Sequence, residues 1–282
     1  MRNHIDWLTF TIPMIYFGEG DNAYANAVSN GFEDMFGEEV RASVFGGNWE
    51  RQERSRAPYT DAWVQSEGGI TLFASPNLTH ACIEISGQGC ERLLLSNSME
   101  TILGCCKERV TRIDIACDIE TIISPEEFVK ETTHERMRTS GHVTSDTGTT
   151  CYVGSQKSER YARVYRYNTP HPRAHLLRVE HVFRKAYAKK VAHAVAVDGL
   201  EQVAKSSGDA FGWSHSIWQP SVISGSDISV VKERGGKGGA IFWLVHSVAP
   251  AFQKLVKSGA IVDAEEFLRR YFLPPPDSEI DA

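Results

Sequence analysis

Residues 111–119, TRIDIACDI, alternate so strictly that they leave little choice of structure. In an extended strand successive side chains point to opposite faces. Ile113, Ile115, Cys117 and Ile119 then share one side, and Arg112, Asp114, Ala116 and Asp118 share the other. The first side belongs in a core; the second carries too much charge for one. Residues 176–183, LLRVEHVF, divide in the same way, with Arg178 and Glu180 opposite Val179, His181 and Phe183. Two strands bearing Arg-x-acid on the face away from the core suit a sheet that is covered on one side. The expected class is therefore α+β, a largely antiparallel central sheet with helices on one face.

The rest of the chain supplies partners for such a sheet. IDWLTFTI alternates near the N-terminus; NAYANAVSNGFEDMF has helical spacing; VRASVFGG, AWVQSEGGITLFAS and HACIEISGQG read as Gly-punctuated strands. CERLLLSNSMETILGCCKE is expected as one leucine-rich helix. A further helix starts at a Ser124 cap, with Pro125 in its first turn and Glu126 and Glu127 at the positive end of its dipole. AYAKKVAHAVAVDGLEQVAKS favours helix, and ISGSDISVVKERGGKGG favours an exposed loop. HIDWLTFTI and RIDIACDIE both place Ile-Asp at a strand head, compatible with two related halves or with chance. The expected organisation is an N-terminal α+β half over 1–104, a catalytic half over 105–274 and a disordered tail over 275–282.

Bulk properties narrow the function classes. The chain has 282 residues, 41% of them hydrophobic, and no apolar run long enough to span a bilayer. Its start lacks the pattern of a secretion signal, so a cytoplasmic protein is expected. None of the six cysteines stands in a zinc spacing, and structural thiols are expected. The net charge of −6 argues against a nucleic-acid partner, but from Cys151 to Leu200 ten Lys and Arg face three acidic residues. A local basic strand survives inside an acidic protein. GGKGG lacks the Walker spacing, and Trp213, Trp218 and Trp243 read as core before they read as base-stacking platforms.

That basic strand carries phenols. In RYARVYRYN the face containing Arg163 also holds Tyr161, Tyr165 and Tyr167. If the three strands are neighbours, carboxylates for a divalent cation, arginines for phosphate and a phenol nucleophile converge. Mg²⁺ or Mn²⁺ takes one or two carboxylates plus phosphate oxygens; arginine clamps phosphate with a bidentate fork; and a phenol needs nearby cations to become a nucleophile. Asp114 and Asp118 stand about 13 Å apart along a regular strand, so Asp114 is paired with Glu180 and Asp118 is left to orient or face substrate. An ion pair at a sheet surface is the plainer reading of each Arg-x-acid.

HIDWLTFTI, TRIDIACDI, CYVGSQKSERYARVYRYN, LLRVEHVFRK and AIFWLVHSVAPAFQKL, in this order, resemble the replication initiation factor (Rep_trans) family of rolling-circle initiators and relaxases. The resemblance implies metal-dependent, origin-specific nicking and rejoining of one DNA strand through a 5′-phosphotyrosine, in plasmid, phage or conjugative-element replication. It implies Tyr165 as nucleophile beside Arg163, with Tyr167 standing where the family has lysine and Tyr167 and Tyr161 as alternative nucleophiles. It implies Asp114, Glu180 and Asp118 at a Mg²⁺ or Mn²⁺ site. Arg112, Lys157, Arg160, Arg166, Arg178, Arg184 and Lys237 are the expected DNA contacts, at a single-stranded or cruciform nick site. A host helicase and a second copy of the chain are further candidate partners, and no membrane is expected. A non-catalytic DNA-binding protein and a hydrolytic, metal-dependent nuclease are the competing readings.

Overall fold

The alternation read from residues 111–119 sets the middle of the sheet. In the computed structural model, which describes residues 2–13, 31–96, 98–132, 141–145, 148–167, 173–208, 211, 256 and 263, the chain order is β1 (Arg2–Pro13), β2 (Trp49–Arg51), β3 (Asp61–Gln65), β4 (Ile70–Ala74), β5 (His80–Ser86), α1 (Gln88–Leu95), α2 (Met99–Cys106), β6 (Val110–Glu120), α3 (Pro125–Thr132), β7 (His142–Ser145), β8 (Gly148–Val153), β9 (Arg160–Arg166), β10 (Leu176–Arg184), α4 (Lys185–Asp198) and α5 (Leu200–Ser207). The strands form one ten-stranded sheet in the order β2-β3-β4-β5-β1-β6-β10-β9-β8-β7. Every pairing is antiparallel. The α+β class is as expected.

The sheet order repeats. β1 and β6 lie side by side at the centre, and from each the sheet runs outward through the last, third, second and first of the four strands that follow it. The Ile-Asp echo at the heads of β1 and β6 thus marks strands in equivalent positions.

The apolar face is the packed one. Ile113, Ile115 and Cys117 of β6, Leu8, Phe10 and Ile12 of β1, and Val179 and Phe183 of β10 are buried in one core with Val191, Ala192 and Val195 of α4. Removing that much apolar surface from water dominates the stability of such a layer. α4 lies against β6 and β10, α1 against β1 and β5, and α3 against β8 and β9. His181 belongs to this face: it is fully buried, its Nδ1 lies 2.8 Å from Ser207 Oγ, and its ring stacks on Phe211 at 4.9 Å. Burial drives its pKa down to about 3. It is a neutral core histidine.

Local departures from the sequence pattern have local causes. Residues 40–47 are not a strand: Glu38–Val40 is helical and Arg41–Phe45 continues as a π-helical turn, because the buried residues Val40, Val44 and Phe45 recur at helical spacing. The single leucine-rich helix divides into α1 and α2 where Ser96 Oγ turns back to the Arg92 carbonyl at 2.8 Å and to Ser98 Oγ at 2.8 Å. The next long helix divides at Gly199, whose φ of 83° a side chain would resist. At Ser124 the expected cap is present: its hydroxyl accepts from Glu127 N–H at 3.2 Å, and Glu127 Oε2 accepts from Ser124 N–H at 3.1 Å. All six cysteines are free, and Cys105 alone among them is exposed. Among the described residues no helix is long and apolar enough to cross a membrane.

Candidate active site

Register carries the second face of β6 into a grid. Asp118 lies opposite Arg178, and Arg178 opposite Tyr165; Ala116 lies opposite Glu180, and Glu180 opposite Arg163; Asp114 lies opposite Val182, and Val182 opposite Tyr161. Residues directly paired across an antiparallel sheet share a face. Carboxylates, guanidiniums and phenols from β6, β10 and β9 therefore meet, as the alternation predicted. On the other side of β6, His4 of β1 pairs with Ala116 and Trp7 with Asp114. Between them the register shifts, and Asp6 is the extra residue of the bulge. That bulge brings Asp6 to the polar face, where it meets Arg178.

Each carboxylate on this face has a guanidinium. Arg112 grips Asp114 at 2.9 and 2.6 Å and stacks over Trp7 at 4.2 Å. Arg178 holds Asp118 at 2.7 and 2.8 Å and Asp6 at 2.8 Å, with the Tyr167 ring 4.7 Å from its guanidinium carbon. Glu180 accepts from Arg163 Nε through Oε2 and from the Tyr165 hydroxyl through Oε1. Arg163 also reaches Asp114 at 3.6 Å, so one guanidinium touches both carboxylates of the expected metal pair. Asp114, Glu180 and Arg178 are almost wholly buried, whereas the side chains of Arg112 and Arg163 keep 22% and 27% of their surface. Those two can move without leaving a hole in the core.

Burial sets the electrostatics. It pushes Glu180 up to about 7, against the pull of Arg163. It raises Asp114 too, although Arg112 and Arg163 oppose it. Tyr165 is raised by burial first and then by the negative charge of Glu180. Tyr167, which meets the Tyr165 ring edge-on at 5.7 Å, is raised by burial against the opposing charge of Arg178. In this arrangement the Tyr165 phenol is protonated and its proton already points at a carboxylate.

Several expected residues sit elsewhere. Arg166 turns to the helix-covered side and donates to the carbonyls of Thr121, of Ile123 at 2.7 Å and of His175 at 2.9 Å. Arg160, also on that side, lies over Tyr187 at 5.2 Å. Arg184 is on the polar face but donates to the Gln156 carbonyl at 2.9 Å and the Tyr161 hydroxyl at 3.2 Å. Lys157 stands exposed in the β8–β9 turn, and Lys237 lies outside the described residues. Asp118 is held by Arg178, and Arg178 is 1% exposed, so this pair orients the face. His4, Asp6 and Trp7 of β1 were not anticipated; the Ile-Asp echo was the one signal of them. Beside them a cavity of about 480 Å³ is lined by Arg2, His4, Asp6, Tyr167, Arg173 and Arg178, among others.

A divalent cation needs several donors around one point, and no three His, Cys, Asp or Glu side chains are so gathered among the described residues. What is present is a pair of buried carboxylates on neighbouring strands, bridged by a partly exposed guanidinium. Two carboxylates are the donors that a hard cation takes when substrate phosphate oxygens and water complete its shell, and here Arg163 occupies both.

No protein-family model matches the chain, and no curated protein matches it. Among solved structures, a rolling circle replication initiator protein from Geobacillus stearothermophilus is similar, with a TM-score of 0.52 and 18% sequence identity over 75% of this chain and 85% of that one. At that identity the likeness is one of fold.

Proposed function

We propose that this chain is a rolling-circle replication initiator that nicks and rejoins one DNA strand at its origin, with Tyr165 as nucleophile. The observation that carries the reading is the hydrogen bond from the Tyr165 hydroxyl to Glu180, set among arginines in a chain whose fold is similar to that of a rolling circle replication initiator. In the step envisaged, the Tyr165 proton passes to Glu180 Oε1 and the phenolate oxygen bonds to phosphorus. The P–O3′ bond breaks, and the 3′ oxygen leaves with its electron pair and takes a proton from water. A base whose pKa lies near 7 is well matched to that transfer. Arg112 and Arg163, the partly exposed guanidiniums, are the phosphate clamps.

Asp114 and Glu180 would hold the divalent cation, Mg²⁺ or Mn²⁺. When bound, it polarises the scissile phosphate. Asp118 and Asp6 keep Arg178 in place between Tyr167 and the carboxylate row.

The test is to incubate the protein with single-stranded DNA from its own replicon's origin, with and without Mn²⁺, then run a denaturing gel and map any DNA-linked peptide. A metal-dependent adduct on Tyr165, lost in Tyr165→Phe, is expected. An adduct that persists in Tyr165→Phe would move the nucleophile to Tyr167 or Tyr161. Cleavage that leaves a free 5′ phosphate would make the protein a hydrolytic nuclease, and binding without cleavage would make it a DNA-binding protein only.

A further inference from the structure

Where β1, α1 and the end of β9 meet, the cavity of about 480 Å³ has two unlike walls. One is aromatic and cationic. The Tyr167 ring lies 4.7 Å from the Arg178 guanidinium carbon, and Asp6 and Asp118 hold that arginine in place. The other wall is α1, where Gln88, Glu91 and Leu94 recur every third residue down one side of the helix. Ile5 and Cys90, each 3% exposed, add an apolar patch. Charge in the cavity favours an anion. α1 starts after Gly87 without a side-chain cap, so the N–H groups of its first turn stand at the positive end of the helix dipole. Three arginines, Arg2, Arg173 and Arg178, line the cavity against Asp6 and Glu91. His4, 7% exposed, also lines it: Nε2 lies 3.8 Å from Asp6 Oδ1, and Nδ1 is buried without a hydrogen-bond partner among the described residues. A buried polar atom of that kind on a cavity wall is a place for a ligand's polar group.

We propose that this cavity takes one unpaired nucleotide beside the nick, with its base against Tyr167, its base edge read by Gln88, and its phosphate at Arg2, Arg173 and the start of α1. The assignment rests on the nicking reading above and deepens it by naming a residue that selects sequence. Position ties the cavity to the chemistry. Tyr165 pairs with Arg178 across β9 and β10, and the Tyr165 and Tyr167 rings are 5.7 Å apart. A strand whose scissile phosphate lies at Tyr165 therefore brings a neighbouring nucleotide to the cavity. The volume is that of a site for one small ligand, which suits a single nucleotide and not a run of them. Unpaired bases stack on aromatic rings and leave their edges open to hydrogen bonding. The Gln88 amide offers both a donor and acceptors for such an edge. Because β1 and α1 belong to the first half, that half supplies the base reader for chemistry carried out by the second.

The experiment uses the full chain and single strands from the origin, each with one abasic site, moved position by position across the nick. Binding is followed by fluorescence anisotropy without metal, and adduct formation separately with Mn²⁺. At one position beside the nick, loss of the base should weaken binding roughly tenfold or more, and in Tyr167→Ala that penalty should vanish. At the same position the unaltered protein should favour one base by roughly fivefold or more, and Gln88→Ala should bind all four within about twofold. Leu94→Trp, which narrows the cavity from a side chain 38% exposed, is the second variant; it should weaken the intact strand and leave the abasic one unchanged. A scan without such a position, or a base preference unchanged in Gln88→Ala, would overturn the nucleotide site; an adduct formed in the same protein would leave the nicking reading standing. A position that meets these tests in a protein that forms no adduct would uphold the site and overturn the nicking. A protein that binds no single-stranded DNA would overturn both.

Discussion

The Tyr165 hydroxyl donates to one oxygen of Glu180 while the other oxygen of Glu180 accepts from Arg163. Glu180 is thus the shared acceptor of the Arg163 guanidinium and the Tyr165 hydroxyl. Burial raises its pKa from the ordinary 4.5 to about 7. The folded state then holds this proton more tightly than the unfolded chain does. Its contribution to stability is greatest below about pH 4.5 and is lost as pH rises toward 7. Between pH 5 and 8 the melting temperature of the unaltered protein should fall relative to that of Glu180→Gln, by several degrees. A change of about 1 kcal/mol moves a chain of this size by roughly 2–4 °C. Adduct formation should rise over the same interval, as Glu180 becomes able to accept the Tyr165 proton. A difference in melting temperature between the two proteins that does not change with pH would mean that Glu180 is charged throughout.

Arg178 is held on two sides, by Asp118 and by Asp6, and is 1% exposed. Removing one partner of a buried ion pair strands the other charge in a medium that cannot solvate it, at a cost of roughly 3–5 kcal/mol. Arg178→Met should therefore destabilise the fold by that much in a denaturant titration. Arg51→Ala, which breaks the pair with Asp61 at a side chain 63% exposed, should cost less than about 1 kcal/mol. If Arg178→Met melted normally but bound DNA poorly, Arg178 would be a phosphate clamp and not the strut described here.

Much of this site could be read from alternation alone, because both faces of β6 and β10 obey a period of two and the register then fixes their neighbours. The same rule places Arg160 and Arg166 opposite Arg163 and Tyr165; counting positive charge along the strand obscured this. The part that alternation could not supply is β1. Nothing in HIDWL marks a bulge, and without one Asp6 would point into the core. The π-helical turn at Arg41–Phe45 was hidden for a related reason. Its residues have strand-like composition, and only the burial of Val40, Val44 and Phe45 reveals the helical spacing.

Arg166 supplies a prediction that separates stability from DNA binding. Its guanidinium ties the end of β9 to the carbonyls of Thr121, Ile123 and His175. In Arg166→Ala those carbonyls lose their donors. A loss of roughly 1–3 kcal/mol is expected. Affinity for single-stranded DNA, measured by fluorescence anisotropy at fixed salt, should stay within about twofold, since one phosphate contact would change both the affinity and its salt slope. A shallower salt slope in Arg166→Ala would return this residue to the DNA groove.

The repeated sheet order gives the first half its own version of the grid, and in that version a phenylalanine takes the strand position of Tyr165. Phe73 pairs with Cys82, and Thr71 with Glu84, on β4 and β5. These strands occupy the places that β9 and β10 occupy in the second half. Phe73 therefore stands where Tyr165 stands, and Glu84 where Glu180 stands. Arg56 lies over this face: it pairs with Glu84, donates to Cys82 Sγ at 3.4 Å and covers the Phe73 ring at 4.1 Å. With Phe73 at the position of Tyr165 and its ring covered by Arg56, the proposed transfer is expected to depend on the second half alone. Glu84→Gln should lower stability by about 1 kcal/mol or less, as expected for a pair whose arginine is 45% exposed. It should leave the yield of the Tyr165 adduct within about twofold, whereas Glu180→Gln should reduce it by at least a hundredfold, as loss of a general base does. Equal losses in the two variants would show that the chemistry is shared between the halves.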